Sequence, residues 1–423
     1  MTATSTPYRL SHPLGFDIQS AAFKRDPGPT FAAMRAAGPV VPLKVAFLGK
    51  TWATTTHAAT LAMVKDNDLF VQEGRHAGKP GIVAGFQWWM PKSLTAIANS
   101  MLQKDEPDHR RLRKLVDKAF ARRDVLAMRA NIDRIADGIL DSFEGRDEVD
   151  LAGEFSRKLP LEVISDLLGL PHEDRAEFAA MAKRALSLTN AASMVLALGS
   201  FRRMIAYVRG QIEASRRNPR PGLIAELVRA EEAGDQLDEN ELLSTIILLL
   251  VAGFETTTHL ISDSVLALEQ HPDQKAWLLA DPEARVERAV EELARFNSPV
   301  QSTKPRYVAR DTEFFGQPLQ RGEVVLALVA AANADPAEFD RPEALRLDRF
   351  PNPHLVFSSG IHFCLGQQLA RVETQSALTR LYARFPDLQL AAPDHIAWIE
   401  RLGIRGVKAL PLRLNAAARR LAA

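Results

Sequence analysis

The stretch Phe357-Ser-Ser-Gly-Ile-His-Phe-Cys-Leu-Gly366 is predicted to form the functional site around which the rest of the chain folds. It holds Cys364, the only cysteine in 423 residues. Apolar side chains follow it near helical spacing, at Leu369, Val372, Ala377 and Leu381. The sulfur is therefore predicted to lie just before a helix N-terminus. Free N–H groups and the helix dipole stabilise an anion there, so we expect them to lower the pKa of the thiol.

The residues around Cys364 match the needs of a thiolate that binds iron. Gly360 and Gly366 allow the backbone to come close to a large planar ligand. Phe357 offers an apolar wall, and His362 offers a donor for a negatively charged group. Such a site needs an anionic sulfur, little bulk around it and N–H groups nearby. The alternative is a buried structural cysteine, which is common in soluble proteins.

The composition excludes several classes of protein. The 53 Lys and Arg residues balance the 52 Asp and Glu residues, so the net charge gives no sign of nucleic-acid binding. A hydrophobic content of 46% supports a large core. The single cysteine excludes an internal disulfide and fits a reducing compartment. The longest apolar run, Ile246 to Phe254, is shorter than the roughly 18 residues that a spanning helix needs. We therefore expect a cytoplasmic protein without a membrane anchor.

Two pairs of charged residues lie at helical spacing. The segment from Asp105 to Phe120 is predicted to be a helix, on which His109 and Arg113 share one face and can grip the same group. Glu292 and Arg295, three residues apart on a second predicted helix, can form an ion pair. Taken alone, each pair is more often part of a solvated helix face.

A long helix is predicted to start at the capping box Asp238-Glu-Asn-Glu241. Its apolar middle gives way abruptly to Ala252-Gly-Phe-Glu-Thr256. A glycine, a carboxylate and a hydroxyl break the pattern of a buried helix, and such breaks tend to mark functional sites. The Thr256 hydroxyl can bond the carbonyl of Ala252 one turn back. Glu255, in the same turn, can carry protons in from solvent.

The cysteine stretch resembles the haem-binding loop of the cytochrome P-450 monooxygenases, whose pattern is aromatic-x-x-Gly-x-basic-x-Cys-x-Gly. Ser358 stands where the family most often has a glycine. The break in the long helix is similar to the family's oxygen-binding motif, Ala/Gly-Gly-x-acid-Thr, with Glu255 in place of the often-seen Asp. The two charged pairs match two further motifs. All four occur in the family's order, so the resemblance covers nearly the whole chain.

The resemblance implies a haem b cofactor with Cys364 as the axial ligand of its iron, since a thiolate pushes electron density onto iron and favours O–O cleavage. It implies haem contacts from the following residues: His109, Arg113, Ala252, Arg306, Phe357, Gly360, His362 and Gly366. Among these, His109, Arg113 and Arg306 would bind the haem propionates, which are carboxylates that suit a guanidinium.

The resemblance also implies roles for residues away from the cysteine. Glu255 and Thr256 would be the catalytic pair that delivers protons to dioxygen. Glu292 and Arg295 would form a buried structural group, with Arg349 as its third member. We assign this group to folding around the haem and not to catalysis.

The implied fold is mainly α with a small β portion, a single-domain triangular prism that spans residues 1–423. Helix-rich parts are expected at about 105–298 and 365–385. The β-rich parts are expected at about 35–70 and 300–330.

The implied activity inserts one oxygen atom from O2 into an apolar small organic substrate. Electrons would come from a separate ferredoxin or flavodoxin with its reductase, because the chain has no room for a reductase domain of its own. An aromatic cluster at Trp88, Trp89 and Met90 favours an apolar substrate, although ordinary core packing explains it equally well.

Three other functions remain open from the sequence. A peroxygenase of similar sequence would use peroxide directly and usually lacks the acid–threonine pair. A non-catalytic haem sensor or carrier would not need Glu255 and Thr256. A cysteine hydrolase would need a base beside Cys364, and His362, two residues away in a loop, is poorly placed for that role.

Overall fold

The computed structural model describes residues 16–45, 50–79, 100–175, 177–178, 180–181, 191–233, 237–401 and 403–414. For residue 44 and residues 191–198 it describes the backbone alone. The predicted aromatic cluster at Trp88, Trp89 and Met90 lies outside these ranges.

Helices dominate the described part of the chain. In chain order they are α1 Ala21–Arg25, α2 Gly28–Ala37, α3 His57–Lys65, α4 Asp108–Asp117, α5 Arg122–Ala127, α6 Arg129–Asp141, α7 Lys158–Leu168, α8 Ala191–Arg217, α9 Leu223–Glu232, α10 Glu239–Gln270, α11 Pro272–Leu279, α12 Pro282–Asn297, α13 Val329–Asn333 and α14 Gln367–Arg384. Most of them fall in the parts of the chain that we expected to be helix-rich.

The central helix α10 begins at the predicted capping box. The Asp238 carboxylate accepts a hydrogen bond from the Glu241 amide at 2.8 Å, and the Glu241 carboxylate accepts one from the Asp238 amide at 3.2 Å. These bonds satisfy N–H groups that a helix start otherwise leaves free. The helix has 32 residues, about 48 Å at 1.5 Å per residue. It is long and apolar enough to span a membrane by composition alone, but 67% of its most apolar window is buried within the molecule, as in a core helix.

The main hydrophobic core surrounds α10. Helices α7, α12 and α14 pack against it, and α6 packs against α14. Ile246 and Leu250, from the apolar middle of α10, are fully buried in this core. Gly253 allows a close approach between α10 and α7, because a Cβ there would lie 2.8 Å from Cγ1 of Ile164. The core therefore fixes the polar turn of α10 in the centre of the molecule.

The strands are short and form a minor part of the fold. They are β1 Phe16–Asp17, β2 Val40–Lys44, β3 Thr51–Thr54, β4 Phe70–Val71, β5 Glu148–Asp150, β6 Arg306–Val308, β7 Thr312–Phe314, β8 Gln317–Leu319, β9 Val324–Ala327, β10 Gln389–Leu390 and β11 Pro411–Arg413. A six-stranded sheet has the order β1-β2-β3-β9-β6-β4, β10-β11-β5 form a second sheet, and β7 pairs with β8.

The large sheet joins two distant parts of the sequence. Strand β3 pairs in parallel with β9, with Trp52 opposite Val325, and β9 pairs antiparallel with β6, with Val325 opposite Arg306. Most strands of this sheet come from the two segments that were expected to be β-rich. The sheet brings Arg306 toward α3, and the loop that carries the cysteine contacts the same helix.

Candidate functional site

A cavity of about 300 Å³ lies between α10 and the loop of the cysteine. Ala252, Gly253 and Thr256 line one wall, and Phe357 and Cys364 line the facing wall. The structure therefore brings the predicted polar turn and the cysteine loop to the same space. The lining is largely apolar, which favours a planar or apolar occupant over a charged one.

The loop before Cys364 is a tight turn that closes on itself. The Cys364 amide donates a hydrogen bond to the Phe357 carbonyl at 2.9 Å. Ser358 has a φ of 60° and Gly360 a φ of 72°, both in the left-handed region. Ser358, which stands where the resembled family has glycine, thus adopts a backbone conformation that glycine favours.

Gly360 allows a close approach between the cysteine loop and α3. A Cβ on this residue would lie 2.6 Å from the carbonyl oxygen of Val64, at the end of α3, so the glycine lets the loop dock onto that helix. Gly366 has no atom within 4 Å of an added Cβ and lines the cavity. Of the two glycines, it is therefore Gly366 that leaves open space beside a ligand.

The predicted direction of the Cys364 pKa is wrong for the protein chain alone. The sulfur does lie just before α14, whose N-cap is Gly366. Burial nevertheless raises the pKa of the thiol, and this effect outweighs the lowering by the Gly366 amide and by the charges of Arg113 and Arg371. The local sequence shows the helix terminus but not the depth of burial. A bound metal ion would supply the positive charge that a buried thiolate needs.

A cluster of cationic and imidazole groups lies at one side of the cavity. The rings of His109 and His362 are 4.3 Å apart, and burial together with the charge of His109 lowers the pKa of His362 to about 2, with Arg306 and Lys304 adding to the effect. Burial also lowers the pKa of Lys304 to about 8 and that of Arg306 to about 10. Lys304 was not among the predicted residues, because a lysine between strands carries no recognisable signal.

Three buried nitrogen atoms of this cluster have no hydrogen-bond partner: Nδ1 of His109, Nε2 of His362 and Nε of Arg306. Buried polar groups are normally hydrogen-bonded, so these atoms indicate an absent acceptor. Nη1 of Arg306 makes long contacts of 3.4 and 3.5 Å with the carbonyls of Val64 and Met63 and donates to Oδ1 of Asn67 at 3.2 Å. An anion that accepts several N–H bonds would satisfy the cluster.

Arg113 holds the cysteine loop directly. Its Nη1 donates to the carbonyls of Ile361 and Phe363 at 3.0 and 2.7 Å, and its Nε donates to Asp117 at 3.2 Å. Arg113 and His109 both line the cavity, as their shared helix face predicted. In this structure Arg113 therefore stabilises the loop.

The side chains in the polar turn of α10 do not all face the cavity. The Thr256 hydroxyl donates to the Ala252 carbonyl at 3.1 Å, as predicted, and faces the cavity. Both oxygens of Glu255 instead accept hydrogen bonds from Arg401, at 2.5 and 2.8 Å. Glu255 is not among the described residues that line the cavity. Arg401 was not predicted, because it lies 146 residues away in a segment without a motif.

The predicted group around Glu292 is present in the structure. Arg295 donates two hydrogen bonds of 2.8 Å to the Glu292 carboxylate, and Arg349 donates one of 3.0 Å. All three side chains are buried. Asn352 adds a fourth bond at 3.2 Å, so this group ties α12 to the segment that leads into the cysteine loop.

The described residues fit a haem. A cysteine sulfur faces the cavity, the apolar walls suit a porphyrin, and the unpartnered donors of His109, His362 and Arg306 suit its two carboxylates. A zinc site would instead need several clustered thiolate or imidazole ligands, and Cys364 is the only cysteine of the chain. The fold and the site therefore define a haem-thiolate protein.

Comparison with known proteins gives the family. The family model for cytochrome P450 matches residues 285–391. The polyketide biosynthesis cytochrome P450 PksS of Bacillus subtilis (strain 168) is 36% identical over 95% of this chain and 99% of its own length. Vitamin D(3) 25-hydroxylase of Pseudonocardia autotrophica is 36% identical over 94% of this chain and 96% of its own length. The crystal structure of myxobacterial CYP267B1 in complex with myristic acid matches with a TM-score of 0.88 and 36% identity, covering 94% of this chain and 98% of that one. The chain belongs to the cytochrome P450 family.

The fold and the reaction class follow from this membership. The protein has the mainly α cytochrome P450 fold, as predicted. It is a haem-thiolate monooxygenase that inserts an oxygen atom from O2 into an organic substrate with electrons from a separate redox partner. The relatives give no support to the peroxygenase or sensor alternatives.

Proposed function

We propose that the chain acts as one haem b-binding domain in the cytoplasm and hydroxylates an apolar substrate bound between α10 and the haem. The observation that carries this proposal is that Thr256 and Cys364 line one apolar cavity. The haem, bound through Cys364, supplies the oxidising power. The protein residues bind the cofactor, position the substrate and supply protons.

Four groups beside the cavity hold the haem propionates in this proposal. His109, His362 and Arg306 offer their unpartnered nitrogen atoms as donors, and Lys304 adds a nearby positive charge. Each propionate would accept hydrogen bonds from these nitrogen atoms and would neutralise positive charge on Arg306 and Lys304. Arg113 contributes by fixing the loop carbonyls, which keeps Cys364 in place.

Thr256 and Glu255 would supply the protons that the reduction of dioxygen needs. The Thr256 hydroxyl faces the cavity and is held by the Ala252 carbonyl, so its oxygen can accept a bond from a water molecule. Glu255 must first leave Arg401. About a fifth of each side chain is exposed, 19% for Glu255 and 24% for Arg401, so opening the ion pair costs on the order of 1–2 kcal/mol. Glu255 then collects a proton from solvent and turns toward Thr256.

A ferredoxin or flavodoxin supplies the electrons, and we place its docking surface on α4. Arg110 and Lys114 are exposed on this helix, and Lys118, which directly follows it, is exposed as well. The same helix bonds the cysteine loop through Arg113, and Phe363 of that loop is 39% exposed. A basic surface beside the thiolate attracts an acidic carrier and orients it for electron transfer.

The substrate belongs to the class of large apolar molecules. Among the similar proteins, one is named for polyketide biosynthesis, one is named as a hydroxylase of vitamin D(3), and one forms a complex with myristic acid. These compounds share extended carbon skeletons with few charges. The apolar lining of the present cavity, which includes Leu248, Leu249 and Val300, suits such a skeleton and would exclude a charged one.

Two measurements test the proposed function. The reduced protein under carbon monoxide should show the absorption band of a thiolate-ligated haem; a band of histidine-ligated haem, or no pigment, contradicts the assignment of Cys364. Product formation from a screened apolar substrate should then require NADH, a surrogate ferredoxin and its reductase. Formation driven equally well by peroxide alone would favour a peroxygenase.

Variants of Thr256 and Glu255 test the proposed delivery of protons. Thr256→Ala and Glu255→Gln should each lower product formation about 10- to 100-fold while oxygen consumption persists, as expected for loss of general acid catalysis. Thr258→Ala is the matched control, because Thr258 makes the same type of bond, 2.8 Å to the Phe254 carbonyl, without lining the cavity. Unchanged turnover in both active-site variants would remove these residues from the mechanism.

A further inference from the structure

Arg371, on the first turns of α14, makes three kinds of contact near the cysteine loop. Its Nε and Nη2 donate to the two carboxylate oxygens of Glu291 at 2.5 and 2.8 Å. Its guanidinium carbon lies over the Phe357 ring, 4.3 Å from the ring centroid. It also bonds Gln367 one turn back. The guanidinium is therefore fixed from several directions.

Glu291 and His354 complete this arrangement. Nε2 of His354 bonds the Glu291 carboxylate at 3.0 Å, and the His354 ring lies 5.9 Å from the Phe357 ring. Burial alone would raise the pKa of Glu291, but hydrogen bonds from His354 and Arg371 together with their charges lower it to about 2, so Glu291 remains ionised and paired at neutral pH. Glu291 thus acts as a permanent anchor for Arg371.

Phe357 connects Arg371 to the sulfur. The Phe357 carbonyl accepts the bond from the Cys364 amide, and both residues line the cavity. The guanidinium stacked on the Phe357 ring therefore lies beside the loop that carries the sulfur. A fixed positive charge at this place favours whichever state of the site carries more negative charge.

We propose that Arg371 is a positioning and electrostatic residue that raises the reduction potential of the iron ligated by Cys364. The guanidinium, held by Glu291 against Phe357, stabilises the reduced site, which carries one more electron than the oxidised site. Glu291 has the opposite effect on the potential, because its negative charge offsets part of the charge of Arg371. This inference rests on haem binding at Cys364.

Opposite shifts from the two partners distinguish this role from a structural one. Arg371→Met removes a positive charge and should shift the reduction equilibrium toward the oxidised protein by about three- to tenfold, or about 28–59 mV for a one-electron couple. Glu291→Gln removes the negative charge and should shift it the other way by up to about the same factor. A merely structural ion pair would give shifts of the same sign, because either variant would loosen the same loop.

The control pair contains an arginine of the same helix, α14. Arg380 bonds Asp137 of α6 at 3.0 Å through its Nε, nine residues beyond Arg371 and therefore roughly 13 Å further along α14. Arg380→Met and Asp137→Asn should leave the potential within experimental error of the parent protein. Arg371→Lys should also stay close to the parent, because it keeps the charge.

The potentials are measured by spectroelectrochemical titration of the haem-loaded protein, after the carbon monoxide complex has shown that the thiolate ligand is retained. If Arg371→Met loses the ligand, the upward shift in Glu291→Gln alone decides the outcome. Shifts of equal sign, or shifts no larger than those of the Arg380 control, overturn the inference. A parent protein without thiolate-ligated haem would instead overturn the proposed function.

Discussion

Both carboxylate oxygens of Glu255 accept hydrogen bonds from the guanidinium of Arg401, at 2.5 and 2.8 Å. This pair joins the turn of α10 that carries Thr256 to the C-terminal segment. Lys24 holds the same segment, because its ammonium group donates to the carbonyls of Arg401 and Ile404 at 2.7 and 2.9 Å. The acid beside Thr256 is thus tied to a segment whose backbone is anchored by Lys24.

The energetic coupling of this pair can be measured with a double-mutant cycle. Arg401→Gln and Glu255→Gln should each lower the free energy of unfolding by about 1–2 kcal/mol, since each leaves a largely buried polar partner without its bidentate bond. The double variant should lose less than the sum of the two. Urea unfolding of the four proteins gives the coupling energy.

An exposed pair provides the control for that cycle. Arg413 bonds Glu148 at 3.0 Å, with 52% and 54% of the side chains exposed. Because exposed pairs are screened by water, Arg413→Gln and Glu148→Gln should be additive within about 0.5 kcal/mol. Additivity in the Glu255–Arg401 cycle as well would mean that the two residues do not interact in solution.

The parts of the fold that could be predicted are those determined by residues close together in the sequence. The start of α10 follows from Asp238 and Glu241, because a capping box acts within one turn. The left-handed positions of the cysteine loop follow partly from Gly360. The pairing of Glu292 with Arg295 follows from their helical spacing, whereas Arg349 was added only through the resemblance, since nothing near Arg349 shows which carboxylate it meets.

Tertiary contacts explain what the sequence did not show. Arg401 meets Glu255 only because the C-terminal segment crosses α10, and no local pattern encodes that crossing. The direction of the Cys364 pKa was wrong because burial depends on the whole core. A Cβ on Gly360 would meet the carbonyl oxygen of Val64, a residue almost three hundred positions earlier. In each case the deciding neighbour is distant in sequence.

The buried group around Glu292 should be among the largest single contributors to stability. Glu292→Gln would leave the guanidinium groups of Arg295 and Arg349 buried without their anion, and an unpaired buried charge costs about 3–5 kcal/mol. We expect the free energy of unfolding to fall by that amount and haem incorporation to fall with it. Urea unfolding and the haem-to-protein absorbance ratio measure the two effects.

Glu287, exposed on the same helix, is the matched control for this variant. Glu287→Gln should change the free energy of unfolding by less than about 0.5 kcal/mol. If Glu292→Gln were as mild as this control, the carboxylate would not be carrying the charge balance of the two arginines.

Asp263 should make the protein less stable as the pH rises. It is fully buried on α10, one oxygen accepts from the Val407 amide at 3.2 Å and the other has no partner. Burial raises its pKa from 3.8 to about 7, against the lowering effects of Arg405 and the Val407 amide. The folded protein therefore holds the proton more tightly than the unfolded chain, and the stabilisation present below pH 3.8 is lost as the pH rises through about 7.

Asp263→Asn removes this titration. Relative to the Asp263→Asn variant, the parent protein should lose up to about 4 kcal/mol in free energy of unfolding between pH 4 and pH 8. Urea unfolding across this range measures it. His259, one turn earlier, has a pKa that burial lowers to about 4, but it is present in both proteins and cancels in the difference. Parallel pH profiles for parent and variant would show that Asp263 ionises as easily in the folded state as in the unfolded one.

The protein should be less stable with Ser358 than with glycine at the same position. Its φ of 60° places a residue with a Cβ in the left-handed region, at a cost of about 1–2 kcal/mol. Ser358→Gly removes that cost, whereas Ser358→Ala keeps it. We therefore expect the glycine variant to have a free energy of unfolding about 1 kcal/mol higher than the alanine variant, measured by urea unfolding of the haem-loaded proteins.

The neighbouring Ser359 gives the opposite order and so controls for the flexibility of glycine in the unfolded chain. Its φ of −156° is extended, a conformation that alanine adopts freely. Ser359→Ala should therefore exceed Ser359→Gly in stability by about 0.5–1 kcal/mol. Because both pairs change the unfolded state equally, a reversal of order between positions 358 and 359 isolates the left-handed turn; the same order at both positions would mean that the loop does not hold Ser358 in that conformation.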